Sequence, residues 1–388
     1  MITAAGELTK LIERIESADR VGIDTEADSL HSYREKLCLL QLSVPTTAFA
    51  GAVDIVVQEQ PEIAEDRKLQ LQLKASDFIV DPLVDTDLQP LRRMLETKEI
   101  VLHGADYDLR MLRRGLNLVA SRIFDTMIAA RLLGIREFSL AALVKRYFGL
   151  ELLKGSQKAN WAQRPLPERM AEYAINDVHY LLPLAEKLEA ELEDCKRRDW
   201  LRQSCQRAIE QAAVARVRSQ DDLWRIRGSG SLRGRSAAVL CALWQWREKE
   251  AEMADRPPFH ILQNDDLIKA AAQFASGIIP DYRYFSPRRR QAFREAAQTA
   301  LQTPESKWPA SRRRLGTRPN AATVQRAEGL RRQRDYSAEE LGLEPSFIAP
   351  RNTIEAIAAD DTRAAALLVP WQCELLGISI SAETPANP

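Results

Sequence analysis

Over the first two hundred residues, short apolar runs alternate with amphipathic, helix-spaced segments, which predicts a sheet covered by helices. The runs at 21–27, 37–43, 78–80 and 100–103 are the predicted strands. Between the second and third lies 44–77, acidic and Gln-rich from 58 to 72 and poor in apolar periodicity, which reads as an inserted surface loop or hairpin without chemistry. After Arg198 the β-type runs stop. Ala237, Leu240, Leu243, Trp244 and Arg247 then recur at helical spacing, so the second half is expected to be all helix. Trp224, Trp244 and Trp246 stand in apolar text at that spacing and read as core rather than as base-stacking platforms.

Composition narrows the class. The 388 residues are 45% hydrophobic and 28% charged, too apolar for a disordered chain and too long for one small module, so two or three domains are expected. Lys plus Arg equals Asp plus Glu at 55 each, so only the distribution of charge is informative. Residues 286–334 hold 13 Lys/Arg against Glu295, Glu305 and Glu328, with prolines at 287, 304, 309 and 319. That stretch reads as a basic, partly flexible linker, or, away from its prolines, as a solvated helix face. The five cysteines are odd in number and scattered, without a C-x-x-C pair, and read as reduced thiols. No leader pattern and no run near ~18 apolar residues is visible, so a soluble cytoplasmic protein with no membrane contact is expected.

The chemistry sits in three places. In Val21-Gly22-Ile23-Asp24-Thr25-Glu26, strand alternation points Asp24 and Glu26 to one face and Ile23 and Thr25 to the other. Two acids in one small space raise each other's pKa or need a cation, and oxygen-only ligation favours Mg²⁺ or Mn²⁺ over zinc. Alone, such a pair is usually a solvated strand end. The second place is His103-Gly104-Ala105-Asp106-Tyr107-Asp108, where an apolar strand turns into a helix; there the two aspartates could simply complement the helix dipole. The third is the segment from Pro167 to Leu182, with Pro167 at a first helical position and Tyr173, Asp177 and Tyr180 on one stripe. Tyr173 could there be a core tyrosine and Asp177 an acid paired with arginine.

Taken together, Asp24-x-Glu26, His103-Gly104-Ala105-x-x-Asp108 and Tyr173-x-x-x-Asp177 resemble, in order and spacing, the exonuclease motifs of the DEDD superfamily in its tyrosine-containing branch, which includes the ribonuclease D family. Leu39-Leu40-Gln41-Leu42, Phe124-Asp125-Thr126 and Trp161 with Arg164-Pro165-Leu166 support the resemblance, which covers residues 15–195. Residues 223–270 and, more faintly, 331–376 look like the helical HRDC domains shared with RecQ-type helicases. Asn160 stands where an acid is common in the family.

The resemblance implies a ribonuclease-H-like mixed α/β sheet exonuclease domain at 1–200, carrying the 44–77 insertion. An HRDC-like helical domain at 210–300, a basic linker at 301–320 and a second HRDC-like domain at 321–388 would follow. It implies a metal-dependent 3′-to-5′ exoribonuclease of the tRNA-precursor maturation class, releasing nucleoside 5′-monophosphates from structured RNA as a monomer. Two divalent cations, Mg²⁺ or Mn²⁺, would be held by Asp24, Glu26, Asp108 and Asp177, one activating water and one near the leaving oxygen. Tyr173 would orient the attacking water. Glu26 would also meet the terminal 3′ hydroxyl, and His103 would fix the turn. Asp106 is left out because the motif spacing selects Asp108. Arginines such as Arg288, Arg289, Arg290, Arg312, Arg313 and Arg314 would contact phosphates. The alternatives are a DNA exonuclease of the same superfamily and a non-catalytic nucleic-acid-binding adaptor.

Overall fold

The structure, a computed structural model, describes residues 1–45, 75–152, 155, 157–214, 219–309 and 319–379. Most of the 44–77 insertion and Arg312, Arg313 and Arg314 lie outside the described residues. The described residues form two compact units. One is drawn from within 1–27, 37–214 and 318–388, the other from within 28–36 and 215–317.

The first unit is built on α1 (Ala5–Glu16), β1 (Arg20–Ala27), β2 (Leu37–Pro45), β3 (Ala75–Val80), α2 (Gln89–Leu95) and β4 (Glu99–Leu102). It continues through α3 (Asp106–Leu116), β5 (Arg122–Asp125), α4 (Thr126–Leu132), α5 (Leu140–Phe148), α6 (Glu168–His179), α7 (Leu181–Asp194) and α8 (Arg198–Ala213). The strands run in the order β3-β2-β1-β4-β5. β1 pairs antiparallel with β2 and parallel with β4, β2 is antiparallel to β3, and β4 is parallel to β5. This is the mixed sheet that the motifs implied. Every residue of β2 from Leu37 to Val44 is buried, because helices cover both faces of the sheet. β5 was not among the predicted strands: at four residues it is too short for an alternation signal, and parallel pairing with β4 secures it instead.

In the second unit α9 (Gly234–Met253), α10 (Asn264–Ala275) and α11 (Pro287–Gln302) enclose Trp224, Leu240, Leu243, Trp246, Phe274 and Phe293. Trp224 and Trp246 are core, and Trp244 is partly buried against it, as their spacing predicted. Of the two readings of 286–334, the helical one holds for Pro287–Gln302. Ser286 caps it by accepting from Arg289 N at 3.3 Å, and Phe293, Ala297 and Ala300 give it a buried stripe that outweighs the run of arginines.

The helices α12 (Ala321–Leu341), α13 (Arg351–Ala359) and α14 (Pro370–Leu375) belong to the first unit and share its hydrophobic core. Trp371 stacks on Trp200 of α8 with centroids 4.9 Å apart. Arg207 donates to the carbonyls of Ala365, Ala366 and Leu368 at 3.0, 2.6 and 3.0 Å. No helix among the described residues is long and apolar enough to cross a membrane.

Candidate active site

β1 and α6 build the site. In β1, Asp24 and Glu26 share a face with Gly22. On the adjacent β2, Gln41 lies opposite Asp24 and Leu39 opposite Glu26. α6 packs over this face, and its four-residue spacing sets Tyr173 and Asp177 on one side. The helix starts at Glu168, so Pro167 is its N-cap, one position before the expected first helical residue. The outcome is that Asp24, Glu26 and Asp177 each offer a carboxylate oxygen within 4.8 Å of the others.

Asp108 arrives from the β4–α3 turn and is buried, at 6% exposure. It stands close enough to raise the pKa of Asp24 and Glu26, yet its own Oδ1 accepts from Thr25 Oγ1 at 2.5 Å. Asp106 is exposed and pairs with Arg110 one turn along the same helix. Thr25 is thus a site residue that the motif reading passed over, although alternation had assigned it to the opposite face of β1.

The turn itself is pinned by Asp125, whose carboxylate accepts from Gly104 N (3.0 Å), Ala105 N (2.8 Å), Met127 N (2.8 Å) and Ile128 N (3.2 Å). It caps α4 and secures the start of α3 at once. Gly104 sits at φ +78°, a left-handed backbone conformation that favours glycine. His103 Nδ1 lies 2.9 Å from Thr126 Oγ1, a contact that holds the turn. At the far edge Arg164 bonds Asp81 at 2.5 and 2.7 Å, together with the carbonyls of Cys38, Trp161 and Gln163. It thereby fixes Trp161, whose ring lies 6.0 Å from that of Tyr173.

Electrostatics separate these acids from ordinary surface carboxylates. Burial, then Asp108, Asp177 and Glu26, push Asp24 well above its usual range. Burial, then Asp177 and Asp108, push Glu26 up to about 9. Burial raises Asp108 to about 6, with Asp125 adding to it and Thr25 opposing. Asp177 is likewise raised by burial to about 6, against its bond from Tyr173. Burial and then the neighbouring Asp177 raise Tyr173, so its hydroxyl stays a proton donor to Asp177. Among the described residues no lysine or arginine is among the groups that shift Glu26 or Asp177. Crowded oxygen donors without a cationic partner fit a hard divalent ion. Cavities of about 700 and 740 Å³, lined by residues such as Arg122 with Cys205 and Arg136 with Lys145, take in none of these acids.

Comparison with known proteins gives the family. The 3′-5′ exonuclease family matches residues 1–193 and the HRDC domain matches residues 236–275. Ribonuclease D of Zymomonas mobilis is 31% identical over 280 residues, 70% of this chain and 63% of that protein. Ribonuclease D of Desulfotalea psychrophila is 27% identical over 275 residues, 70% of this chain and 66% of that protein. The chain thus spans just under two thirds of the length of these relatives. The crystal structure of Escherichia coli RNase D superposes with a TM-score of 0.67 at 23% identity, covering 97% of this chain and 96% of that one, so the two share a fold. With its exonuclease sheet, its HRDC segment and these relatives, the chain belongs to the ribonuclease D family of 3′-5′ exonucleases.

Proposed function

We propose that the chain is a metal-dependent 3′-to-5′ exoribonuclease that trims RNA 3′ ends and releases nucleoside 5′-monophosphates. The observation that carries this reading is the meeting of Asp24, Glu26 and Asp177 within 4.8 Å, with the Tyr173 hydroxyl donating to Asp177. Asp24, Glu26 and Asp177 would hold one divalent ion, Mg²⁺ or Mn²⁺, and Asp24 with Asp108 a second. Such ions supply an activated hydroxide and charge stabilisation at the leaving oxygen.

The chain's own residues do the positioning. Burial and Asp177 keep the Tyr173 hydroxyl protonated in the metal-free chain, so it would orient the attacking water, and would take its proton only where bound cations lowered its pKa. Thr25 fixes one oxygen of Asp108, which sets the direction of the other. By the family resemblance Glu26 would also meet a terminal 3′ hydroxyl, which would account for attack from the end of a strand. All five residues come from one chain, so a monomer suffices. Scattered cysteines without a pairing pattern support a reducing, cytoplasmic setting. RNA in preference to DNA, and tRNA-precursor-like substrates in particular, rest on the ribonuclease D relatives.

The test is a gel time course with 5′-labelled single-stranded RNA and a matching DNA in Mg²⁺, Mn²⁺ and chelator, for the wild type and Asp24→Asn. Stepwise shortening of RNA from its 3′ end, abolished by chelator and by the substitution, is expected. Shortening of DNA at the same rate would shift the reading to a DNA exonuclease, and binding without shortening would shift it to an adaptor.

A further inference from the structure

Behind the carboxylates lies a layer of polar side chains that the proposed reaction does not use. Gln41 of β2 is fully buried at 0% exposure, and neither Nε2 nor Oε1 has a hydrogen-bond partner. Ser43, two residues on and facing the same way, is equally buried with its hydroxyl unpartnered. A buried amide left unpaired is destabilising, a cost that an apolar side chain of the same size avoids.

The position of Gln41 explains why an amide stands there. Gln41 is the cross-strand partner of Asp24 in the antiparallel β1–β2 ladder, and directly opposed residues point to one face. Their Cβ atoms are therefore about 4.5–5.5 Å apart, within reach of a glutamine side chain. Asp24 belongs to both proposed metal sites, and a lone pair of a metal-holding carboxylate that is not on the metal needs an N–H. Among the described residues, the Gln41 amide is an uncommitted donor on that face.

We propose that Gln41 is a positioning residue of the metal site. It donates from Nε2 to the Asp24 carboxylate when a divalent ion is bound and fixes the orientation of that ligand. Partners of this kind, behind a metal ligand, typically contribute 10–100-fold to metal affinity. The inference rests on the metal-dependent reading above.

The experiment compares the full chain with Gln41→Leu, Gln41→Met and Asp24→Asn. Mn²⁺ affinity is measured from the electron paramagnetic resonance signal of free Mn²⁺, and thermal melting is followed in chelator. The expected result is opposite movement: Gln41→Leu weakens Mn²⁺ binding roughly 10–100-fold while its metal-free melting temperature stays level or rises. Mn²⁺ affinity within twofold of wild type would overturn the proposal. If Gln41→Leu loses both quantities through poor packing, the unbranched Gln41→Met decides. Restored melting with Mn²⁺ binding still weak upholds the role, and recovery of both overturns it. Failure of the wild type to bind Mn²⁺, or Asp24→Asn binding it equally well, would instead sink the metal reading itself.

Discussion

Each unit of the molecule buries acids, and they do so in opposite ways. In the helical unit Glu250 of α9 is 4% exposed, and Arg288 meets it at 3.0 and 2.8 Å and Arg289 at 3.1 Å. Its charge is answered within the fold, and two of the arginines expected to contact phosphates are committed to a structural bond. In the sheet unit, Asp24, Glu26 and Asp177 face chiefly one another and Asp108. The first arrangement stabilises by itself. The second leaves its crowded acids unanswered by a basic residue, which is what the proposed cation site requires.

Four outcomes would break or sharpen this contrast. The largest effect is expected for Asp177→Asn, which removes a charge from the unanswered cluster. Single-turnover cleavage of RNA should fall by roughly 10²–10³-fold or more, while circular dichroism stays that of the wild type. Activity within tenfold of wild type would mean that the cluster is not the reactive site.

Next comes the answered acid. Replacing Arg288 and Arg289 together by methionine leaves Glu250 buried without its partners and should destabilise the helical unit by about 3–5 kcal/mol in denaturant unfolding. Cleavage of a dinucleotide should persist. Unchanged stability would show that Glu250 does not need the pair.

The third outcome concerns pH. A carboxyl group whose folded pKa is raised holds its proton more tightly folded than unfolded, so its contribution is present below the unfolded value near ~4 and lost as pH rises. With Asp108 and Asp177 at about 6 and Glu26 at about 9, the chelated protein should melt at progressively lower temperature from pH 5 to pH 9. Millimolar Mg²⁺ or Mn²⁺ should flatten that slope. A melting temperature that rises with pH in chelator would contradict the raised values. The smallest effect is expected for Asp106→Ala, whose exposed pair with Arg110 should change stability by no more than about 0.5 kcal/mol and turnover by less than twofold.

The contrast also shows which parts of the molecule can be read from local pattern. Alternation in β1 placed Asp24 and Glu26 on one face, and helical spacing placed Tyr173 with Asp177, because both relations depend on backbone periodicity alone. The tryptophans at 224 and 246 could be assigned to core for the same reason. The bond of Arg288 and Arg289 to Glu250 could not be read in the same way, since it depends on the packing of α11 against α9. Strand β5 gave too short a signal. The importance of Asp125 showed only once the β4–α3 turn and the start of α4 came together around its carboxylate.

Sequence by itself determined a sheet covered by helices, the helical second half and the residues able to carry charge at the right spacing, because periodicity and side-chain chemistry are local properties, while the mixed sheet followed from the family resemblance. Tertiary structure alone decided that Asp177 meets Asp24 across roughly 150 residues of chain, that Thr25 turns Asp108, that Gln41 lies unpaired behind them, and that α12 to α14 join the core of the sheet unit. These depend on which surfaces bury one another, and burial is a property of the assembled chain, with no period along the sequence to announce it.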